Sequence, residues 1–197
     1  MKQLLPLLIF PFFACNDLAT NNAKKTNKQA PQYELVKDWP QLPTGYALGQ
    51  VTGIGIDTSQ HIFLFHRAWR KWKLLNSKFP DTTIAGATIL ELDRENGKLV
   101  NSWGANLFIM PHGLLVDKEN NVWVTDVGLH QVFKFSHNGN LLMKLGVAGV
   151  AGNDSLHFNL PTDIAVAADG SFYVSDGYGN SRVVKFSRTG QYLFAWG

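Results

Sequence analysis

Short runs of β-branched and aromatic residues, separated by polar turn segments, set the pattern of this chain. In PHGLLVDKENNVWVTDVGLHQVFKFSHNGNLLMKLG, residues 111–146, Val122 and Val124 and then Val132, Phe133 and Phe135 lie between the turns DKENN and SHNGN. That composition and spacing predict short strands joined by tight turns. The stretch recurs as PTDIAVAADGSFYVSDGYGNSRVVKFSRTGQYLFAWG, residues 161–197, with Pro111 matching Pro161 and Asp126 matching Asp176 at an offset of 50. A more divergent copy starts at Val51. VTGIGIDTSQHIFLFHR supplies two strands around the turn DTSQH, and ATILELDRENGKLVNSWG closes the unit after an insertion. The three units end alike, in NSWG, MKLG and FAWG, at Gly104, Gly146 and Gly197. A glycine there suits a tight exit from an outer strand. No amphipathic helix of useful length interrupts the pattern. Strand-rich repeats of about 40–50 residues predict an all-β fold made of propeller blades.

Composition changes the picture mainly at the N-terminus. The chain has 197 residues, 45% of them hydrophobic, with a net charge of +3 and one cysteine. It is long enough for a sizeable core, carries too little charge to argue for nucleic acid, and has no internal disulfide framework. Residues 1–14 form a short basic start and an apolar run broken by Pro6 and Pro11, which reads as an export signal. Ala14 before Cys15 resembles a bacterial lipoprotein processing site, which implies cleavage there and lipidation of Cys15. The alternative is a plain signal peptide. Residues 15–32 are rich in Asn, Lys, Thr and Ala and read as a tether. Residues 33–197 are then the propeller segment, with room for about 3–4 blades. These readings make the protein an exported one of the cell envelope, lipid-anchored to a bacterial membrane.

The densest basic stretch, HRAWRKWKLLNSK at residues 66–78, interleaves Trp69 and Trp72 with cations. Such interleaving can bind single-stranded nucleic acid, but an exported protein is not expected to do so. The stretch is otherwise a rim loop with its tryptophans packed on the protein's own surface, or a cap over a substrate site. VAGVAGNDSLHFN, residues 147–159, joins two blades as a surface loop, and His157 is read as a packed or rim histidine. His112, between Pro111 and Gly113, opens a strand whose position faces the channel of a propeller. One histidine makes no zinc site, so the local pattern favours a hydrogen-bonded structural role. Arg67 ends the strand IFLF, and Tyr178 sits in the loop SDGYGNSR after the corresponding strand of a later unit. Side chains at such loop ends can meet across a channel.

NLFIMPHGLLVDKENNVWVTDVGLHQVFKF resembles the core of the peptidyl-α-hydroxyglycine α-amidating lyase family, a branch of the NHL-repeat propellers. LGQVTGIGID, IFLFHR, NLPTDIAV and YVSDGYGNSRVVKFS resemble it in the same order, so the likeness covers residues 48–197. It implies a six-bladed propeller that cleaves a peptidyl-α-hydroxyglycine into a peptide amide and glyoxylate. It also implies zinc and calcium in the channel. By the same resemblance His112 is one of three zinc-ligating histidines, and the backbone carbonyls of Ile54 and Leu114 are calcium ligands. Arg67 becomes the active-site arginine and Tyr178 the tyrosine that assists proton removal. The family's other two zinc histidines and its calcium aspartate fall in later blades, so this chain is expected to be C-terminally incomplete and poorly active alone. Animal members carry a disulfide where this chain has Asn159 and Gly179. The alternative function is a non-catalytic NHL propeller that binds a protein or glycan at its rim.

Overall fold

Twelve strands in three antiparallel meanders build the residues described by the computed structural model, 32–72 and 79–197. The export signal, Cys15, almost all of the tether and residues 73–78 of the basic stretch lie outside the described residues. The compact unit is Val36–Gly197. Its first sheet contains β1 (Val51–Ile56), β2 (Ile62–His66), β3 (Ile89–Leu92) and β4 (Leu99–Trp103). The second contains β5 (Pro111–Val116), β6 (Val122–Asp126), β7 (Gln131–Phe135) and β8 (Leu141–Leu145). The third contains β9 (Asp163–Val166), β10 (Phe172–Asp176), β11 (Arg182–Phe186) and β12 (Tyr192–Trp196). Among the described residues the one helix is α1 (Gly177–Asn180), a single turn.

The strands pair in sequence order, β1 through β4 and likewise in the other two sheets. The repeat read from the sequence is therefore one sheet per copy. The turns repeat as well: the amides of Gln60, Asn120 and Gly170 bond back to the carbonyls of Asp57, Asp117 and Ala167. The three outer-strand glycines, Gly104, Gly146 and Gly197, all have positive φ, a conformation that costs other residues. A Cβ on Gly146 would sit 2.3 Å from the His130 carbonyl.

Alternation along each strand distributes the core between sheets. Val122, Val124, Phe133 and Phe135 pack toward Phe63, Phe65 and Ile89 of the first sheet, with Phe108 between them. Trp123 and Val132 on the opposite face pack against Ile164, Phe172, Val174, Val184 and Phe186 of the third. Leu64, Leu90 and Leu92, on the far face of the first sheet, are covered by Trp39, Leu42, Tyr46 and Leu48. Each fully buried side chain of this size contributes about 1.5–3 kcal/mol through burial. The first strands of the sheets, β1, β5 and β9, lie next to one another, so the sheets fan from a shared inner edge. This is a partial propeller, three blades among the described residues.

Candidate active site

The loops that leave the second strands converge on the start of β5. Arg67 follows β2 directly. Its Nε donates to the Pro111 carbonyl at 2.9 Å and its Nη1 to Gln50 Oε1 at 3.2 Å, while its backbone amide bonds to the Gln50 carbonyl. The side chain is almost fully buried and has no ion pair among the described residues. Burial pulls its pKa down, and the nearby Tyr178 and Asp126 partly offset this. The guanidinium lies 4.9 Å from the centre of the Trp72 ring, a cation–π contact.

His112 opens on the same spot from β5. Its Nδ1 lies 2.9 Å from the Thr162 carbonyl, which can only accept, so Nδ1 carries the proton. Nε2 is then an acceptor, and the Tyr178 hydroxyl reaches it at 3.2 Å. Burial lowers the His112 pKa, the Thr162 bond raises it, and the Arg67 charge lowers it further. The net direction keeps the imidazole neutral at pH 7. Thr162 is itself held: its carbonyl also accepts from Thr125 Oγ1 at 2.9 Å, and its amide donates to Ser175. A histidine fixed through Nδ1 by a carbonyl, with an unprotonated Nε2 that here accepts from the half-exposed Tyr178 hydroxyl, is suited to ligate a metal. Among the described residues it is the sole histidine at this spot with that posture.

Tyr178 belongs to α1, just after β10. Asp176 fixes that turn by accepting from Asn159 N, Asn180 Nδ2 and Arg182 Nε. The phenol is more than half exposed. Trp72 closes the group, its ring 6.0 Å from His112 and 5.7 Å from Tyr178, centre to centre, both edge-on. A cleft of about 440 Å³ opens beside His112, lined also by Thr52, Gly53, Leu114, Thr162 and Asp163. Two larger clefts, each about 710 Å³, contain none of Arg67, His112 and Tyr178.

Ile54 and Leu114 take equivalent places in β1 and β5, opposite Leu64 and Val124. The Asp57 amide bonds to the His61 carbonyl, and the Asp117 amide to that of Asn121. Counting back by alternation, Ile54 and Leu114 are at non-hydrogen-bonded positions, so their carbonyls turn away from the partner strand toward the inner edge. Asn159 and Gly179 are in contact, the Gly179 amide donating to the Asn159 carbonyl at 3.0 Å.

The structure therefore brings together Arg67, His112 and Tyr178, which the sequence singled out from three separate stretches. Trp72 entered the sequence reading only as one of two tryptophans in a basic loop. The reading of that loop as a cap fits Trp72, while Trp69 is exposed and stacks under Arg70. Thr162 and Gln50, which position His112 and Arg67, gave no signal in the sequence. His157 sits beside Asp154 on the rim, away from this group.

The NHL repeat family model matches residues 108–135 and 158–186. A peptidylglycine alpha-amidating monooxygenase of Rattus norvegicus is 44% identical over 172 residues, 81% of this chain and 17% of that protein. Peptidyl-alpha-hydroxyglycine alpha-amidating lyases 2 and 1 of Drosophila melanogaster are 36% and 40% identical over 188 and 176 residues. These matches cover 90% and 84% of this chain, and 45% and 32% of the relatives. The chain thus spans less than half the length of each of these curated relatives. A solved streptogramin B lyase superposes with a TM-score of 0.52 at 16% identity, over 76% of this chain and 41% of its own, which supports the fold alone.

Proposed function

Since this chain carries NHL repeats and is a homologue, over most of its length, of the peptidyl-alpha-hydroxyglycine alpha-amidating lyases, we propose that its site serves that lyase reaction. The substrate would be a peptide ending in α-hydroxyglycine. Its hydroxyl loses a proton, the bond from the carbinol carbon to the amide nitrogen breaks, and that nitrogen gains a proton. The products are a peptide amide and glyoxylate.

The observation that carries this reading is the meeting of Arg67, His112 and Tyr178 under Trp72. In the proposal Arg67 pairs with the substrate carboxylate. Its two named bonds use Nε and Nη1, which leaves Nη2 to donate. Tyr178 Oη takes part in removing the hydroxyl proton, and its exposure lets it reach substrate. Trp72 covers the guanidinium and excludes water from the ion pair. His112 would hold zinc through Nε2, and zinc when bound supplies Lewis-acid polarisation. The carbonyls of Ile54 and Leu114 would serve calcium as a structural ion. Catalytic zinc sites use three protein ligands, so at this spot, where His112 is the one suited histidine among the described residues, zinc should be held weakly. Export and a lipid anchor at Cys15 belong to the same proposal, and loss of fatty-acid labelling in Cys15→Ala would check them.

The test is glyoxylate release from such a peptide with added zinc, alongside binding of the peptide read by tryptophan fluorescence. Tyr178→Phe should lower kcat by about 100-fold with KM nearly unchanged. Arg67→Gln should weaken binding of the carboxylate, and a Trp72→Phe control should lose the fluorescence signal. If the peptide binds equally well to wild type and Arg67→Gln, the assignment fails. A rim-binding propeller without catalysis then accounts better for the fold.

A further inference from the structure

At the opposite end of the sheets lies a second group of chemistry-bearing residues. Val51 pairs with His66 at the Arg67 end of the first sheet, and Asp57 comes just past the other end of β1. There Asp57, His61 and Glu91 from the first sheet meet His137 from the β7–β8 turn of the second. We propose that these four residues form a divalent transition-metal site, of the class that takes zinc, stapling the first sheet to the second.

The ligand atoms of the four residues are grouped closely enough to face one cation. His61 Nδ1 lies 3.1 Å from Asp57 Oδ2 and 3.2 Å from Glu91 Oε1. His137 Nε2 lies 2.9 Å and 3.6 Å from the same two oxygens. All four ligand atoms fall within 4.8 Å of one another. Tetrahedral zinc with bonds of about 2.0–2.2 Å separates its ligands by about 3.3–3.6 Å, and these four nitrogen–oxygen separations lie within a few tenths of an ångström of that range.

Burial and charge point the same way. The two carboxylate side chains are 0% and 4% exposed, while the imidazoles are 31% and 33% exposed and leave a way in. Two buried carboxylates side by side need two positive charges to balance them. A divalent cation with two neutral imidazoles meets that need and satisfies all four ligand atoms at once. The set of two nitrogens and two oxygens suits zinc and its neighbours better than calcium or magnesium, which take oxygen alone. Asp57 is already oriented to ligate, because its Oδ1 accepts the His61 amide at 2.7 Å and leaves Oδ2 for the site.

This site shares no residue with the lyase reading, so either can fail alone. The chelator-stripped 197-residue chain is titrated with Co²⁺, read by visible absorption, and with Zn²⁺, read by thermal melting. One equivalent of Co²⁺ should give tetrahedral bands in wild type and in His112→Ala, and Zn²⁺ should raise the melting temperature of both. His137→Gln and Glu91→Gln should each weaken binding by at least about tenfold. If a variant does not fold, the wild type still decides: bound Zn²⁺ should shield His61 and His137 from diethyl pyrocarbonate. Absence of a Co²⁺ band in folded wild type would overturn the proposal. So would binding that His112→Ala abolishes and His137→Gln leaves intact, or labelling of His61 and His137 unchanged by Zn²⁺.

Discussion

The residue that ends the second strand of each sheet does the same job with different chemistry. Asp126 accepts from the amides of Ile109 and Met110 through Oδ2 and from Leu129 through Oδ1. Asp176 accepts from the Asn159 backbone amide through Oδ1 and from the side chains of Asn180 and Arg182 through Oδ2. In the first sheet His66 takes that place, its Nδ1 accepting from Ala68 at 3.0 Å, and burial lowers its pKa so that it stays neutral. The two aspartates were legible in the sequence as a repeat of one residue type. His66 was not, because it keeps the acceptor and changes the side chain. Burial pushes Asp126 from 3.8 up to about 6, against the pull of the Leu129, Met110, Ile109 and Gly128 amides. A carboxyl whose folded pKa is raised binds its proton more tightly folded than unfolded. Between pH 4 and pH 6 its contribution to stability therefore falls as pH rises, by about 3 kcal/mol across the whole window. Asp126→Asn cannot titrate and aims amide hydrogens at backbone donors, which should cost about 1–3 kcal/mol. Urea melts at pH 4.5 and pH 7 should show the gap between wild type and variant narrowing toward pH 7. A gap that widens would contradict the raised pKa.

At the scale of the elements, apolar alternation fixed by turn chemistry made the strands readable. The DTSQH, DKENN and SHNGN turns fall between β1 and β2, β5 and β6, and β7 and β8. Residues 67–88 were opaque because they carry no period, so the packing of Trp72 on His112 and Tyr178 could not be foreseen. The quartet of Asp57, His61, Glu91 and His137 was opaque for another reason. Each of its members reads locally as a turn or strand residue, and only the stacking of two sheets joins them. Inner strands β1 and β5 approach so closely that a Cβ on Gly53 would lie 2.5 Å from the Leu114 amide nitrogen and 2.6 Å from its Cβ. Backbone cannot yield as a side-chain tip can. Gly53→Ala should therefore destabilise the protein by about 1–3 kcal/mol and disturb the cleft beside His112. Gly86→Ala meets nothing within 4 Å and should be nearly neutral. Equal denaturation midpoints for the two variants would mean that the strands separate freely.

For the molecule as a whole, stability follows from stacking, since each sheet buries its faces only against neighbours. The second sheet is covered on both sides: β6 is buried at all five positions. The first is covered by the second sheet and by Trp39, Leu42, Tyr46 and Leu48. The third has one face against Trp123 and Val132, while on the other Phe194 and Trp196 are about half exposed beside Tyr173 and Lys185. The periodicity of the sequence showed three copies in a segment with room for about 3–4 blades, but not which of the described sheets has a bare face. That depends on what the leading segment covers, and residues 39–48 have no repeat to announce it. Opening the third sheet exposes one interface, whereas opening the second exposes two. Native-state hydrogen exchange should therefore show β10, β11 and β12 losing protection together, by about a factor of ten or more relative to β6 and β7. The amides of β2 and β3 should side with the second sheet, because their far face is covered too. If β12 exchanged as slowly as β6, the three described sheets would open as one unit, and the exposed face of the third would carry no energetic weight.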